Sequence, residues 1–279
     1  MMLAHDRAGT GAPVVLLHGW PGDRTDYTDV VAQLCGGDGG VDVVVPDLRG
    51  FGESDRDPGG DHAMGAQVGA VVELMDHLGL ADAVFGGYDI GSRVAQQLAV
   101  EHPDRVRALV VTPPLPGAGR RVLEPQAQRE FWYQAFHQLE LAEQLLDGKP
   151  DAVRAYLAHF WNHWSGPAFS PSDARLDHLA GRYSAAGAFT ASIGWYRGGS
   201  GTAARALVEQ PPEVRIAAPT TVLWPEHDPL FPRAWSDRVG EWFAAAEVRP
   251  VDGAGHFVPV EAPAVFAGVV RDAAVPVVQ

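Results

Sequence analysis

Three side chains that can do chemistry stand at the ends of short apolar runs: Asp89 in "GGYDIGS", Asp228 in "WPEHDPLFP" and His256 in "GAGHF". An ordinary aspartate, with a pKa of about 3.9, is ionised at neutral pH and needs no base to act as a nucleophile. A histidine, near about 6.5, can take a proton from water. Together they are parts of nucleophilic and general-base catalysis. Asp89 is the unusual member, because it sits between small residues in a tight turn where many hydrolases carry a serine. A serine attacking saturated carbon would leave an ether that water does not readily cleave. A carboxylate leaves an ester, whose carbonyl an activated water can attack.

Such residues need a frame that gathers them. "APVVLLHGWPG", "VDVVVPDLRGFG", "ADAVFGGYD", "RVRALVVTPP" and "APTTVLWPEHD" are short β-rich runs stopped by turn residues, with helical stretches such as "QVGAVVELMDHLGL" between them. Continuous apolar runs, Val14 to Leu17 and Val41 to Val45 among them, fit strands buried on both faces. Strands alternating with helices imply a mostly parallel sheet flanked by helices. In open parallel sheets ligands bind beyond the carboxyl ends of the strands. His18 to Pro21, Asp89, Asp228 and His256 are therefore expected at one edge. Between Pro113 and Pro212 the rhythm changes to "EPQAQREFWYQAFHQLELAEQLLDG" and "KPDAVRAYLAHFWNHW", which read as consecutive amphipathic helices dense in aromatics. The expected architecture is an α/β sheet core over 1–115 and 213–279, interrupted by a helical cap over 116–212, with a cleft between the two.

The 279 residues are ample for a buried core, and 46% apolar with 20% charged residues is ordinary globular usage. A formal net charge of −14 argues against nucleic acid or an anionic membrane as partner, since phosphate binding needs clustered cations. Lys149 in "DGKPD" is the sole lysine and follows no glycine-rich phosphate loop. Cys35, the sole cysteine, excludes an intrachain disulfide framework and multi-cysteine metal sites. No apolar run approaches the roughly 20 residues that span a bilayer, and "MMLAHDRAGTG" lacks an apolar leader core. The expectation is a cytoplasmic protein.

In order, "LLHGWPG", "PDLRGFGESD", "GYDIGS", "WPEHDPLFP" and "GAGHFVPVEAP" resemble the α/β-hydrolase fold, and with the segments "FWYQAFHQLELAEQLL" and "WYRGG" the chain is similar over nearly its whole length to the soluble bacterial epoxide hydrolases of that fold. The resemblance implies that Asp89 is the nucleophile, Asp228 the acid and His256 the base, in the chain order usual for the fold. Gly87 and Gly91 leave room for a strained turn at Asp89. The backbone N–H groups of Trp20 and Ile90 would form the oxyanion hole. Two cap tyrosines, Tyr133 and Tyr196, would protonate the oxygen of an opening epoxide, a task that suits phenols better than indoles. Trp20, Ile90, Phe136, Trp195 and Phe257 are candidate pocket residues. The implied reaction, epoxide plus water to a vicinal diol through an ester on Asp89, requires no cofactor, and the aromatic cap leans toward a bulky apolar epoxide.

Haloalkane dehalogenases resemble the same pattern but commonly hold halide with a tryptophan directly after the nucleophile, where this chain has Ile90; fluoroacetate-type enzymes have an arginine there. A dehalogenase, or a ligand-binding member of the fold without catalysis, remains the alternative. His18 is expected to hold its loop rather than react. His159 and His163 have i, i+4 spacing, yet no glutamate follows the first as in H-E-x-x-H, so no metal site is expected. Tyr88 and Ile90 depart from the histidine and aromatic residues frequent beside such a nucleophile. The segment before Val14 is short for the two antiparallel strands with which the family begins.

Overall fold

A computed structural model describes residues 3–36, 40–57 and 59–275, so the outermost ends of the two expected core segments, 1–2 and 276–279, lie outside the described residues. The apolar runs become strands: β1 (His5–Gly9), β2 (Ala12–Leu17), β3 (Val41–Pro46), β4 (Ala83–Gly87), β5 (Val106–Val111), β6 (Thr220–Pro225) and β7 (Ala246–Val251). They form one sheet in the order β1-β3-β2-β4-β5-β6-β7. All neighbours are parallel except β1, which pairs antiparallel with β3. One antiparallel strand thus precedes β2 among the described residues, where the family resemblance implies two.

Every residue of β3 and β4 is buried, as expected for central strands covered on both faces. Valine dominates β3 because its branched side chain packs well on a pleated surface and loses little rotamer freedom there. Helices α1 (Thr28–Cys35), α2 (Met64–His77) and α3 (Asp89–Glu101) follow the early strands. In α3, Ile90, Gly91, Val94, Ala95 and Leu98 recur at helical spacing and are buried against β2, β4 and β5. Each fully buried large aliphatic residue contributes about 1.5–3 kcal/mol.

Between Val111 and Thr220 the regular elements are helices: α4 (Pro125–Glu130), α5 (Trp132–Phe136), α6 (Glu140–Leu146), α7 (Pro150–His163), α8 (Asp173–Tyr183), α9 (Ala188–Ser192), α10 (Gly194–Arg197) and α11 (Thr202–Arg205). The first amphipathic stretch is broken into three short pieces rather than continuous. Phe131 leaves helical geometry between α4 and α5, and Leu139 is extended just before α6. The second stretch forms α7 uninterrupted, with Pro150 in its first turn, where the missing N–H costs nothing. Helices α12 (Val239–Trp242), α13 (Val258–Glu261) and α14 (Pro263–Ala274) complete the chain, and α14 packs on α1 and on β5.

Strand register fixes which loops meet. Leu17 lies beside Gly87, Gly87 beside Val111, and Val111 beside Val222. The segments after β2, β4 and β6 consequently emerge at one edge of the sheet.

Candidate active site

At that edge the chain passes from β4 through extended Tyr88 (φ −128°, ψ 156°) into Asp89, which has φ 49° and is the one non-glycine residue with positive φ among those described. A left-handed aspartate costs on the order of 1–3 kcal/mol and persists only where its surroundings impose it. The turn is crowded: a Cβ on Gly91 would lie 2.0 Å from the Leu17 carbonyl oxygen, and one on Gly87 would lie 2.7 Å from the Gly91 carbonyl carbon. The carboxylate sits at the first residue of α3, where the helix dipole and free N–H groups favour negative charge. The Trp20 N–H donates to Asp89 Oδ1 at 2.8 Å.

Trp20 belongs to a loop that His18 pins. Leu48 N–H donates to His18 Nε2 at 2.9 Å, so Nδ1 carries the proton and donates to the Gly19 carbonyl at 2.9 Å. His18 is thereby committed to backbone on both sides.

His256 is completely buried between two carboxylates. Its Nδ1 lies 2.8 Å from Asp228 Oδ2 and its Nε2 lies 3.4 Å from Asp89 Oδ2. Burial alone would lower its pKa, but Asp228 first and Asp89 second outweigh it and push the imidazole up to about 10. Asp228 is itself oriented, since its Oδ1 accepts the Leu230 N–H at 2.8 Å. The Glu261 carboxylate gathers the N–H groups of Gly166, Gly255 and Phe257 at 2.7, 2.8 and 3.0 Å, tying the histidine loop to the end of α7. Sequence reasoning passed over Glu261 because nothing in "VPVEAP" marks a glutamate that serves three backbone donors.

The opposite side of the site is aromatic and neutral. The Trp20 indole stacks on Tyr133 (centroids 5.5 Å, planes 3° apart) and meets Tyr196 edge-on at 6.1 Å. The two tyrosine rings are 5.5 Å apart, and Trp164 lies 5.2 Å from both Tyr133 and His256. Both phenols are held well above their ordinary pKa, by burial first; the Asp89 charge adds to this for each, and for Tyr196 the Tyr133 phenol does as well. They stay protonated and keep an O–H to donate. His137, one turn after Tyr133, is buried and kept neutral by desolvation, with Nε2 2.9 Å from the Tyr156 hydroxyl. His137, Tyr156 and Gln134 were not singled out from the sequence, where they look like ordinary members of polar–aromatic helices.

Of the candidate pocket residues, Ile90 is buried in the first turn of α3 and Trp20 faces the tyrosines. Trp195 is buried in α10. Phe136 is half-buried and packs on Trp132 and Tyr156, one layer of rings beyond Trp20. Phe257 stacks on Trp161 at 3.8 Å and meets His256 edge-on, between that histidine and the helices behind it.

Beside the Asp89 turn lies a second acidic cluster. Tyr88 donates its hydroxyl to Asp26 at 2.5 Å, Arg175 of α8 pairs with Asp26 at 2.5 Å, and His178 of α8 lies 2.7 Å from Asp23. Tyr183 of the same helix donates to the Gly22 carbonyl at 2.7 Å. Helix α8 is thereby fastened to the loop that carries Trp20.

His163 pairs with Glu130 at 2.7 Å and stacks on His159, and among the described residues no group of three or more metal-type side chains is assembled. Among them no helix is long and apolar enough to cross a membrane.

Residues 12–263 match the α/β hydrolase fold family. Epoxide hydrolase A of Mycobacterium tuberculosis is 30% identical over 295 aligned residues, covering 91% of this chain and 87% of that protein. A haloalkane dehalogenase of Mycolicibacterium paratuberculosis is 41% identical over 113 residues, but this covers 40% of this chain and only 37% of the length of that protein. The crystal structure of Epoxide Hydrolase A from Mycobacterium thermoresistibile superimposes with a TM-score of 0.76 at 26% identity, covering 95% of this chain and 92% of that one.

Proposed function

The chain belongs to the α/β-hydrolase fold family, and from that premise we propose that it is an epoxide hydrolase working through an ester on Asp89. The observation that carries this reading is one arrangement. The Asp89 carboxylate is held by the Trp20 N–H and faces His256, and two buried, protonated tyrosines pack against the indole of the same Trp20. Similarity to an epoxide hydrolase over most of both chains supports it.

In the first step an Asp89 oxygen attacks an epoxide carbon. The carbon–oxygen bond breaks with its electron pair going to oxygen, and a tyrosine proton neutralises the alkoxide. The acids are neutral phenols, so no charge needs to be buried before reaction. The second step needs a base, and the first creates it. While Asp89 is an anion, His256 sits between two negative charges and holds its proton strongly. Esterification removes one of those charges, so the imidazole releases its proton to bulk water and, now neutral, can accept one from the attacking water. That water attacks the ester carbonyl, and the Trp20 and Ile90 N–H groups bind the resulting oxyanion. Asp228 stabilises the imidazolium. Collapse passes the imidazolium proton to the departing oxygen and gives the diol and an Asp89 carboxylic acid, whose proton restores the tyrosine, while His256 regains its proton from bulk water. Water is the only co-reactant. Residues 116–212 act as a cap whose aromatic rings favour a bulky apolar epoxide, a neutral small molecule rather than nucleic acid or membrane.

Trp20 Nε1 is buried without a hydrogen-bond partner, and an indole donor of this kind favours halide release as a second reading. Aliphatic Ile90 after the nucleophile weighs against it.

Single-turnover hydrolysis in oxygen-18 water tests the proposal. The first diol released should carry an unlabelled oxygen from Asp89. Direct incorporation of label, or turnover of haloalkanes in preference to epoxides, rejects it.

A further inference from the structure

The two tyrosines are not equivalent, and the difference lies in Gln134, a polar side chain only 6% exposed among the aromatics of α5. Its amide orientation is determined by its neighbours. Oε1 accepts the Ala203 N–H at 2.9 Å, so Nε2 is the atom that faces the Tyr133 hydroxyl at 3.0 Å, and it must donate. The approach is close. A Cβ on Gly201 would come within 2.7 Å of Gln134 Oε1 and 2.9 Å of Tyr196 Cδ1, so a glycine there lets this segment close over both side chains.

The Tyr133 and Tyr196 rings meet edge-on with centroids 5.5 Å apart. Burial raises both phenols, and the Gln134 donor opposes this at Tyr133, whereas the Tyr133 and Asp89 neighbours of Tyr196 add to its rise. A phenol oxygen has two acceptor positions and one proton. On Tyr133 the Gln134 N–H occupies an acceptor position, which leaves the phenol's own proton to point elsewhere.

We propose that Gln134 is a positioning residue that makes Tyr133, rather than Tyr196, the tyrosine that gives its proton to the opening epoxide oxygen. The inference rests on the epoxide hydrolase reading above. During ring opening the Asp89 oxygen–carbon bond forms and the epoxide carbon–oxygen bond breaks. The Tyr133 proton moves to the new alkoxide, and the Tyr133 phenolate remains, held by the Gln134 N–H. The proton released on ester hydrolysis later restores it. Gln134 therefore acts where charge develops and does nothing for the attack of water on the ester.

The test separates the two steps in Gln134→Met, which removes the donor at similar size, and in Gln134→Glu, which retains an oxygen for the Ala203 N–H but places an acceptor against Tyr133. Each is made in the wild-type, Tyr133→Phe and Tyr196→Phe backgrounds. Ester formation and ester hydrolysis are followed separately by rapid quench and intact mass. Gln134→Met should slow ester formation about 10- to 100-fold in the wild-type and Tyr196→Phe backgrounds, as loss of one donor to a developing anion does. It should change ester formation less than about twofold in Tyr133→Phe, where no proton is left to position. Ester hydrolysis should be unaltered, and Gln134→Glu should follow the same pattern. Equal slowing in the Tyr133→Phe background, equal slowing of both steps, or a Tyr196→Phe single variant that forms ester more slowly than the Tyr133→Phe single variant overturns the role of Gln134 while leaving the Asp89 chemistry standing. A wild-type protein that forms no ester with any epoxide overturns both.

Discussion

Two aspartate pairs lie side by side in this molecule, and each meets a histidine. Asp89 and Asp228 flank His256, whereas Asp23 and Asp26 face His178 and Arg175. The distances are alike, at 2.8 Å from His256 to Asp228 and 2.7 Å from His178 to Asp23. What differs is water and connectivity. His256 is fully enclosed with a carboxylate at each ring nitrogen, so any change of charge at Asp89 acts on it directly in a low dielectric. His178 is about one-third exposed on α8, and its partner sits on a different segment of the chain. The first arrangement can drive a reaction forward, because consuming one charge changes the basicity of the next group. The second fastens a helix to a loop. The same residue types at the same spacing thus serve chemistry or docking according to how completely water is removed.

The largest expected effect breaks the first cluster. His256→Gln removes the base but leaves the Asp89 carboxylate and the tyrosines in place. With a reactive epoxide, ester formation should stay within about tenfold of wild type, while ester hydrolysis slows by about 10³-fold or more. Intact mass should show an adduct of the substrate mass on the peptide containing Asp89. Clean turnover without an accumulating adduct would mean that His256 is, like His178, only a partner in an ion pair.

How far the sequence could anticipate these two clusters follows from what makes each visible. Asp89, Asp228 and His256 each end a strand or its following turn, and a parallel sheet brings strand ends together whatever the intervening residues, so their meeting could be read from the chain. Asp26 and Arg175 are 149 positions apart, one on a loop and the other on a helix. Their contact depends on how α8 lies against the sheet edge, which no periodicity encodes. Strand β1 was equally hidden. "HDRAG" is half exposed and carries no apolar alternation, and its pairing with β3 comes from backbone hydrogen bonds and the Arg7–Asp42 ion pair. The break between α5 and α6 escaped for the opposite reason. The apolar spacing of "FWYQAFHQLELAEQLL" continues through Leu139, where the backbone turns extended. Periodicity records which residues are buried, and buried residues on two short helices can keep one phase.

A middle-sized effect probes the second cluster at its buried end. Burial first, and the neighbouring Asp23 charge, push Asp26 up to about 6 against the opposing pull of Arg175. Because this lies above the unfolded value of about 3.9, Asp26 contributes most stability below about pH 4 and loses it as pH rises through 6. Arg175→Ala removes the cation that makes the ionised form tolerable, so its penalty should appear above about pH 6. We expect about 1–3 kcal/mol at pH 8 and much less at pH 5, measured by urea denaturation. Arg175 also lies 5.0 Å over the Trp161 ring, which gives a smaller loss at every pH. A penalty equal at pH 5 and 8 would assign the whole contact to that stacking and leave Asp26 without an electrostatic role.

The smallest effect has the opposite sign with pH. His178 is raised above its ordinary value chiefly by its hydrogen bond to Asp23, while Asp23 is held low by His178 and by Thr25 despite its burial. Stability from a raised histidine is fully present below its unfolded pKa of about 6.5 and disappears as pH climbs through the folded value. His178→Ala should therefore cost about 0.5 kcal/mol at pH 6, discounted for the water that screens this side chain, and nothing measurable at pH 9. The two α8 variants should thus diverge, one growing costlier as pH rises and the other cheaper. Parallel pH dependence would show that Asp23 and Asp26 share one proton balance, as the pair around His256 does. The contrast between a docking cluster and a reacting one would then rest on the absence of a nucleophile turn beside His178 rather than on its exposure to water.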